Sequence, residues 1–377
     1  MTGNVRWVDQ TADFAEVVAG IGGGPLALDT EADSFHHYHE KVCLIQLSFG
    51  GQDVLVDPLA DVDLDLLRAA LENPGLRKIA HGADYDVRML HRNFGLELHG
   101  LFDTMLAARL VGERAFGLSA LLSKFLNVRL EKRFQRADWS LRPLSQEMVR
   151  YAVLDTRHLE QLAEILEERL RQLGRTDWAR EEFERVEAVR WSAGARGAGE
   201  VYLRIKGIRK LDRRQLGVLR ELAELREAAA RRRDVPPFRV MRDEVLFELV
   251  RGLPRDRPDL RAVRGLPSSW TRDTAASALL EALDRGLGLS DECLPPIPRS
   301  EKRKRLDPES ESRVRRLCGE RDTLAQRLGL EPAVLASRSL LEQVVVHLEP
   351  GQELARVPGL RRWQITLLEP AIQAVST

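Results

Sequence analysis

Long apolar runs are missing from this chain of 377 residues. Nothing in it approaches the roughly 20 consecutive apolar residues that a membrane-spanning helix needs. The opening stretch, with Asp9 and Asp13, does not resemble a signal peptide, so a cytoplasmic protein with no membrane contact is expected. Cysteine is scarce: Cys43, Cys293 and Cys318 are odd in number and far apart, which excludes a disulfide framework and a zinc pattern. Lysine is rare too, at 8 against 50 arginines. No coiled-coil seam or long exposed apolar stripe occurs, and a monomer is the expectation.

What remains is an ordinary globular composition, 44% apolar and 31% charged, in a chain long enough for two or three domains. Formal net charge is zero but unevenly placed, about −8 over residues 1–170 and +8 over 171–377. An acidic front and a basic rear fit a metal-dependent site joined to a polyanion-binding surface, and equally a solvated helical surface.

After an amphipathic segment near Phe14, the glycines 22–24 and Pro25 break the chain and a strand follows over residues 26–31. Residues 42–49 read as a buried strand and Gly50-Gly51 turns it into a third at 54–57, making a meander. A helix around Leu64, Leu67 and Leu71 stops at Asn73-Pro74-Gly75. A short strand at 77–81 leads into a helix over 84–93, and further helices fall at 103–111 and 118–126. Val149, Ala152, Leu159, Leu162, Leu166 and Leu170 predict one long helix over 145–170. Strands first, then strands alternating with helices, describe an α/β domain with a mixed sheet, taken as residues 1–190.

Composition then shifts through a Gly/Ala-rich linker, 191–208. Beyond it the chain reads as helical: one small domain at 209–290, a Pro-rich then basic linker at 291–306, and a second small domain at 307–377. Residues 196–233 hold twelve Lys or Arg against five acids. Pro237-Phe238-Arg239-Val240 with Leu246 and Leu249 aligns with Pro332-Ala333-Val334-Leu335 with Leu341 and Val344 at an offset of 95. That spacing indicates a duplicated helical unit.

The chemistry centres on Asp29 and Glu31, two residues apart on a strand and therefore on one face. Two adjacent acids repel, and a hard divalent ion relieves the conflict. Alone the pair means little, since 58 acids in 377 residues produce roughly nine such pairs by chance. Asp86 falls in the first turn of a helix behind a strand, where the helix dipole favours its charge, although a simple cap has the same pattern. Tyr151 and Asp155, four apart on the long helix, share a face. Together with Leu28-Asp29-Thr30-Glu31, Cys43-Leu44-Ile45-Gln46-Leu47, His81-Gly82-Ala83-Asp84-Tyr85-Asp86, Phe102-Asp103-Thr104 and the 138–144 run (Asp-Trp-Ser-Leu-Arg-Pro-Leu), these residues resemble the DEDD exonucleases of the ribonuclease-H-like fold. Tyr151 places the resemblance in the DEDDy branch, nearest the ribonuclease D family. The two helical units resemble that family's HRDC domains, the second being degenerate, with Leu330-Glu331-Pro332 in place of Val235-Pro236-Pro237.

The resemblance implies an α/β ribonuclease-H-like exonuclease domain followed by two all-α HRDC-type domains. It implies that Asp29, Glu31, Asp86 and Asp155 bind two divalent ions, Mg²⁺ or Mn²⁺, with Tyr151 orienting the attacking water. Two ions roughly 3.5–4 Å apart can clamp both oxygens of an in-line displacement at phosphorus. The expected reaction is hydrolysis of RNA from a 3′-hydroxyl end, releasing nucleoside 5′-monophosphates, with precursor tRNA and other structured 3′ ends as substrates. A DNA exonuclease of the helicase-linked type, or an inactive nucleic-acid-binding scaffold, are the alternatives. Around the site, His37, Tyr38, His81, Trp139 and Arg142 are the expected substrate contacts, each with an ordinary structural role as the competing account.

Overall fold

The structure is a computed structural model that describes residues 5–131, 133–192, 198–297, 306–347 and 354–376. The linker residues 193–197 and the basic run 298–305 lie outside the described residues. The chain forms two compact units that do not follow chain order. One takes residues 1–32, 41–191 and 306–377, the other residues 33–40 and 192–305.

In the first unit the described residues build a six-stranded mixed sheet. Its strands are β1 (Val5–Gln10), β2 (Leu26–Ala32), β3 (Val42–Phe49), β4 (Gln52–Asp61), β5 (Lys78–Ala80) and β6 (Leu101–Asp103), in the order β1-β4-β3-β2-β5-β6. The predicted meander is β2-β3-β4, antiparallel throughout, with Gly50 and Gly51 both at positive φ in the tight turn. β1, β5 and β6 add parallel neighbours, β1 on β4 and β5 on β2, then β6 on β5. Two of these strands, β1 and β6, escape the sequence reading. Each is short, and its pairing partner lies more than 20 residues away, so no local turn announces it.

The predicted helix over 145–170 is two helices, Gln146–Arg157 and Leu159–Gln172, broken at His158 with φ −107° and ψ 5°. The apolar periodicity runs through the break, but the halves serve different packing. Thr156 Oγ1 lies 2.8 Å from Ser48 Oγ, and Arg157 reaches Asp53 at 2.6 Å, pinning the first helix to β3 and β4. Its Met148, Ala152 and Val153 pack with Leu44, Leu55 and Trp139, whereas Leu159, Leu162, Leu166 and Leu170 join the main core.

The two helical segments share an element order. Helices Arg213–Arg233, Pro237–Val240 and Asp243–Gly252 in the first correspond to Pro308–Leu328, Pro332–Leu335 and Arg338–His347 in the second. Asp212 and Asp307 cap the two 21-residue helices by accepting the N–H three residues on. The first segment has its own core around Leu216, Leu222, Leu246 and Leu283. The second has a small core of its own and also contributes Leu335 and Trp363 to the main core of the first unit. No described helix is long and apolar enough to cross a membrane.

Candidate active site

β2 lies between β3 and β5 and carries Asp29 and Glu31 on one face. The Gln146–Arg157 helix packs against β2, β3 and β4 and brings Asp155 to that face. Ligand oxygens of Asp29, Glu31 and Asp155 all lie within 4.8 Å of one another. Asp86, in the first turn of the Asp84–Phe94 helix, is buried and accepts a hydrogen bond of 2.6 Å from Thr30 Oγ1, the hydroxyl between the two β2 acids.

These groups are poorly matched to one another as free carboxylates. Burial raises Asp29 well above the usual range, and the charges of Asp86, Asp155 and Glu31 push further the same way. Burial, then Asp155 and Asp86, lift Glu31 to about 9. Burial alone lifts Asp155 to about 7. Asp86 reaches only about 6, because the Thr30 hydroxyl and nearby N–H groups partly offset its burial. Among the described residues no arginine or lysine figures in these shifts. One buried and three half-buried acids without a counter-charge are costly, and hard cations with oxygen ligands are the chemistry that fits them. Tyr151 is also raised, first by burial and then by Asp155, Glu31 and Asp29, so its hydroxyl keeps its proton at neutral pH.

The loop before the Asp86 helix is held by a residue outside the predicted set. Asp103, at the end of β6, accepts N–H bonds from Gly82 (3.0 Å) and Ala83 (2.9 Å) as well as from Met105 and Leu106. Gly82 sits at φ 75°, and a Cβ there would press on Met105 at 3.0 Å, so the turn needs glycine. His81 Nδ1 lies 2.9 Å from Thr104 Oγ1, and burial lowers the ring to about 4, leaving it neutral.

The other expected substrate contacts have protein partners. Trp139 is buried in the cluster beneath the Gln146–Arg157 helix, its ring 6.0 Å from that of Tyr151. Arg142 binds Asp57 through two bonds of 2.5 Å and donates to the carbonyls of Cys43, Trp139 and Leu141. It straps the 138–144 segment to the sheet. His37 and Tyr38 belong to the second compact unit. His37 Nδ1 is 2.8 Å from Asp234, whose other oxygen accepts the Tyr38 N–H, and the Tyr38 hydroxyl donates to Glu227 at 2.7 Å. The space beside Tyr151 and Asp155 is a cavity of about 310 Å³ with Arg129, Arg133, Phe134 and Arg150 in its wall together with Glu131 and Glu147. The Phe134 ring meets Tyr151 edge-on at 5.8 Å. A basic-aromatic run over residues 129–134 is the sequence signal for Arg129, Arg133 and Phe134, and Arg150 lies on the helix itself.

A family model described as 3′-5′ exonuclease matches residues 5–171, and one for the HRDC domain matches residues 215–283. A protein called ribonuclease D from Gluconacetobacter diazotrophicus is 30% identical over 362 residues, covering 94% of this chain and 89% of its own. Another from Zymomonas mobilis is 34% identical over 275 residues, 72% of this chain and 69% of its own. Among solved structures, Escherichia coli RNase D, described as an exoribonuclease involved in structured RNA processing, superimposes with a TM-score of 0.73 at 25% identity, covering 99% of this chain and 98% of that one.

Proposed function

This chain belongs to the ribonuclease D family and is a 3′→5′ exoribonuclease, and from that premise we propose that it trims structured RNA 3′ ends, precursor tRNA among them, by two-metal-ion hydrolysis. The observation that carries this reading is the convergence of Asp29, Glu31 and Asp155 within 4.8 Å, with no arginine or lysine of the described residues offsetting the rise of their pKa values. Asp29, Glu31 and Asp155 would hold one divalent ion, and Asp29 with Asp86 the other. When bound, Mg²⁺ or Mn²⁺ ions lower the pKa of an attacking water and neutralise charge on the attacking and leaving oxygens.

The rest falls to the chain's own side chains. Thr30 fixes the rotamer of Asp86 through its 2.6 Å bond. Tyr151 keeps its proton, so it is unsuited to general-base work and acts as a hydrogen-bonding group that orients the water. Phe134 and Trp139 both pack on the tyrosine ring. Arg129, Arg133 and Arg150 offer positive charge to the phosphate of the terminal nucleotide in the adjoining cavity. The products are a nucleoside 5′-monophosphate and an RNA one residue shorter with a new 3′-hydroxyl. Arg204, Lys206, Arg209 and Lys210, leading into the HRDC unit, would add contacts with RNA phosphates that weaken as salt rises, whereas Arg213 and Arg214 are held by carbonyls of their own unit.

The test is incubation with single-stranded RNA and DNA of matched sequence, ended by 3′-hydroxyl or 3′-phosphate, with Mg²⁺, Mn²⁺ or EDTA. Stepwise shortening of 3′-hydroxyl RNA that stops in EDTA is expected. Hydrolysis that persists in EDTA removes the metal mechanism, and faster shortening of DNA replaces RNA as the substrate.

A further inference from the structure

Gln46 lies midway along β3, opposite Asp29 of β2 on one side and Leu55 of β4 on the other. Opposed residues of an antiparallel pair project from the same face, with Cα atoms roughly 4.5–5.5 Å apart. Gln46 therefore stands beside Asp29 on the face that carries Glu31. Leu44 and Ser48, two residues to either side, share that face. Leu44 and Leu55 pack with Met148, Ala152 and Val153, and Ser48 is 2.8 Å from Thr156. The helix that carries Tyr151 and Asp155 thus roofs the place where Gln46 sits.

The Gln46 side chain is completely buried, and among the described residues neither Nε2 nor Oε1 has a hydrogen-bond partner. Buried amides are almost always satisfied, because leaving one unpaired carries its full desolvation penalty. Packing does not account for it, since Met or Leu would fill the same space with no polar atoms to satisfy. The carboxylates alongside accept hydrogen bonds, and an amide N–H₂ is the donor type that suits them.

We propose that Gln46 is a positioning residue of the active site, its Nε2 donating to the Asp29 carboxylate, directly or through one ordered water, in the cation-loaded enzyme. The inference rests on the metal site proposed above. It gives Asp29, shared by both ions, an outer partner that fixes its rotamer, as outer-shell groups do for metal-binding carboxylates.

The test compares the full-length wild type with Gln46→Met and Gln46→Glu. The readouts are Mn²⁺ affinity by calorimetry, thermal unfolding in EDTA, and kcat and KM on a short RNA. Gln46→Met is expected to unfold at or above the wild-type temperature, to bind Mn²⁺ roughly 10–100-fold more weakly, and to lose kcat with KM unchanged. A folded Gln46→Met with wild-type Mn²⁺ affinity and kcat overturns the proposal. Should that variant not fold, Gln46→Glu, which keeps the shape and adds an acid beside Asp29, is expected to make Mn²⁺ binding more steeply pH-dependent. An unchanged pH profile overturns the proposal on that arm. A wild type that binds no Mn²⁺ removes the metal site itself, whereas equal binding by wild type and Gln46→Met removes only the role of Gln46.

Discussion

Glu181 and Glu182 on the Thr176–Glu187 helix are largely withdrawn from water, as are Asp29, Glu31, Asp86 and Asp155, yet the two groups of acids meet opposite surroundings. Glu182 receives Arg361 through bonds of 2.8 and 3.1 Å and the Trp363 indole N–H at 3.1 Å, and Glu181 accepts the Arg362 and Trp363 N–H groups. Trp363 also stacks on Trp178 at 4.8 Å. The acids on β2 and its neighbours meet mainly each other. A carboxylate buried with its cation is a fastener, here joining the C-terminal helical segment to the nuclease core. Carboxylates buried against one another lack that balance, and only a ligand of opposite charge supplies it.

The largest effect that would sharpen this contrast is expected for Asp29→Asn. Removing the carboxylate proposed to touch both ions should lower exonuclease activity on the order of 10³-fold or more, beyond the loss from one preorganised hydrogen-bond donor, and more than replacing Glu31, Asp86 or Asp155. The thermal midpoint in EDTA should hold or rise, since a repulsion has been removed. A fall in that midpoint would make the cluster a structural element and erase the contrast.

Arg361→Ala should do the reverse. Leaving Glu182 only its longer 3.7 Å pair with Arg185 is expected to cost about 2–4 kcal/mol in urea unfolding, the lower range reflecting a partly exposed and partly rebalanced acid. Hydrolysis of a short RNA per folded molecule should stay near wild type.

The pH response follows from the raised acids. Asp86, Asp155 and Glu31 sit at about 6, about 7 and about 9 in the folded chain, against ordinary carboxylate values when unfolded. The folded state therefore binds more protons across that window, and in EDTA their contribution to stability is present in acid and lost as pH rises through those values. Mn²⁺ should restore the midpoint most at the alkaline end. Scanning calorimetry from pH 5 to 9, with and without Mn²⁺, checks both signs. A metal-free midpoint that climbs with pH would place the acids in the fastener class.

The smallest effect belongs to the cavity wall. Arg133, already 2.9 Å from Glu147, is mostly exposed. Arg133→Ala should raise KM only a few-fold, leave kcat unchanged, and flatten the salt dependence of RNA binding by roughly 0.7 in slope.

The residues of the candidate site were legible because each announces itself locally. Asp29 and Glu31 follow an apolar strand, Asp86 opens a helix behind a short strand, and Tyr151 and Asp155 keep helical spacing. Thr30, Asp103 and Gln46 fall within the runs that carry the family resemblance and Phe134 outside them, but nothing local tells what any of the four does, since that depends on partners in other elements of the fold. The partners of His37 and Tyr38 were not legible: residues 33–40 follow β2 and bond to Asp234 and to the Arg213–Arg233 helix, in the same compact unit. The break at His158 was equally hidden, because apolar periodicity reports which side of a helix is buried and not whether its axis is continuous.

By itself, then, the amino-acid order determined the α/β and helical character of its regions, the β2-β3-β4 meander, the recurring element order of the helical segments, and the acids Asp29, Glu31 and Asp155 that the fold brings together. These follow from short-range periods, turns and caps written within a few residues. Tertiary structure decided that β1 and β6 complete the sheet, that the C-terminal segment joins the nuclease unit through Glu181 and Glu182, and that Gln46 stands unpaired beside Asp29. Strand register, burial and the balance of charge are properties of groups brought together from distant parts of the chain, and they exist only once the chain has folded.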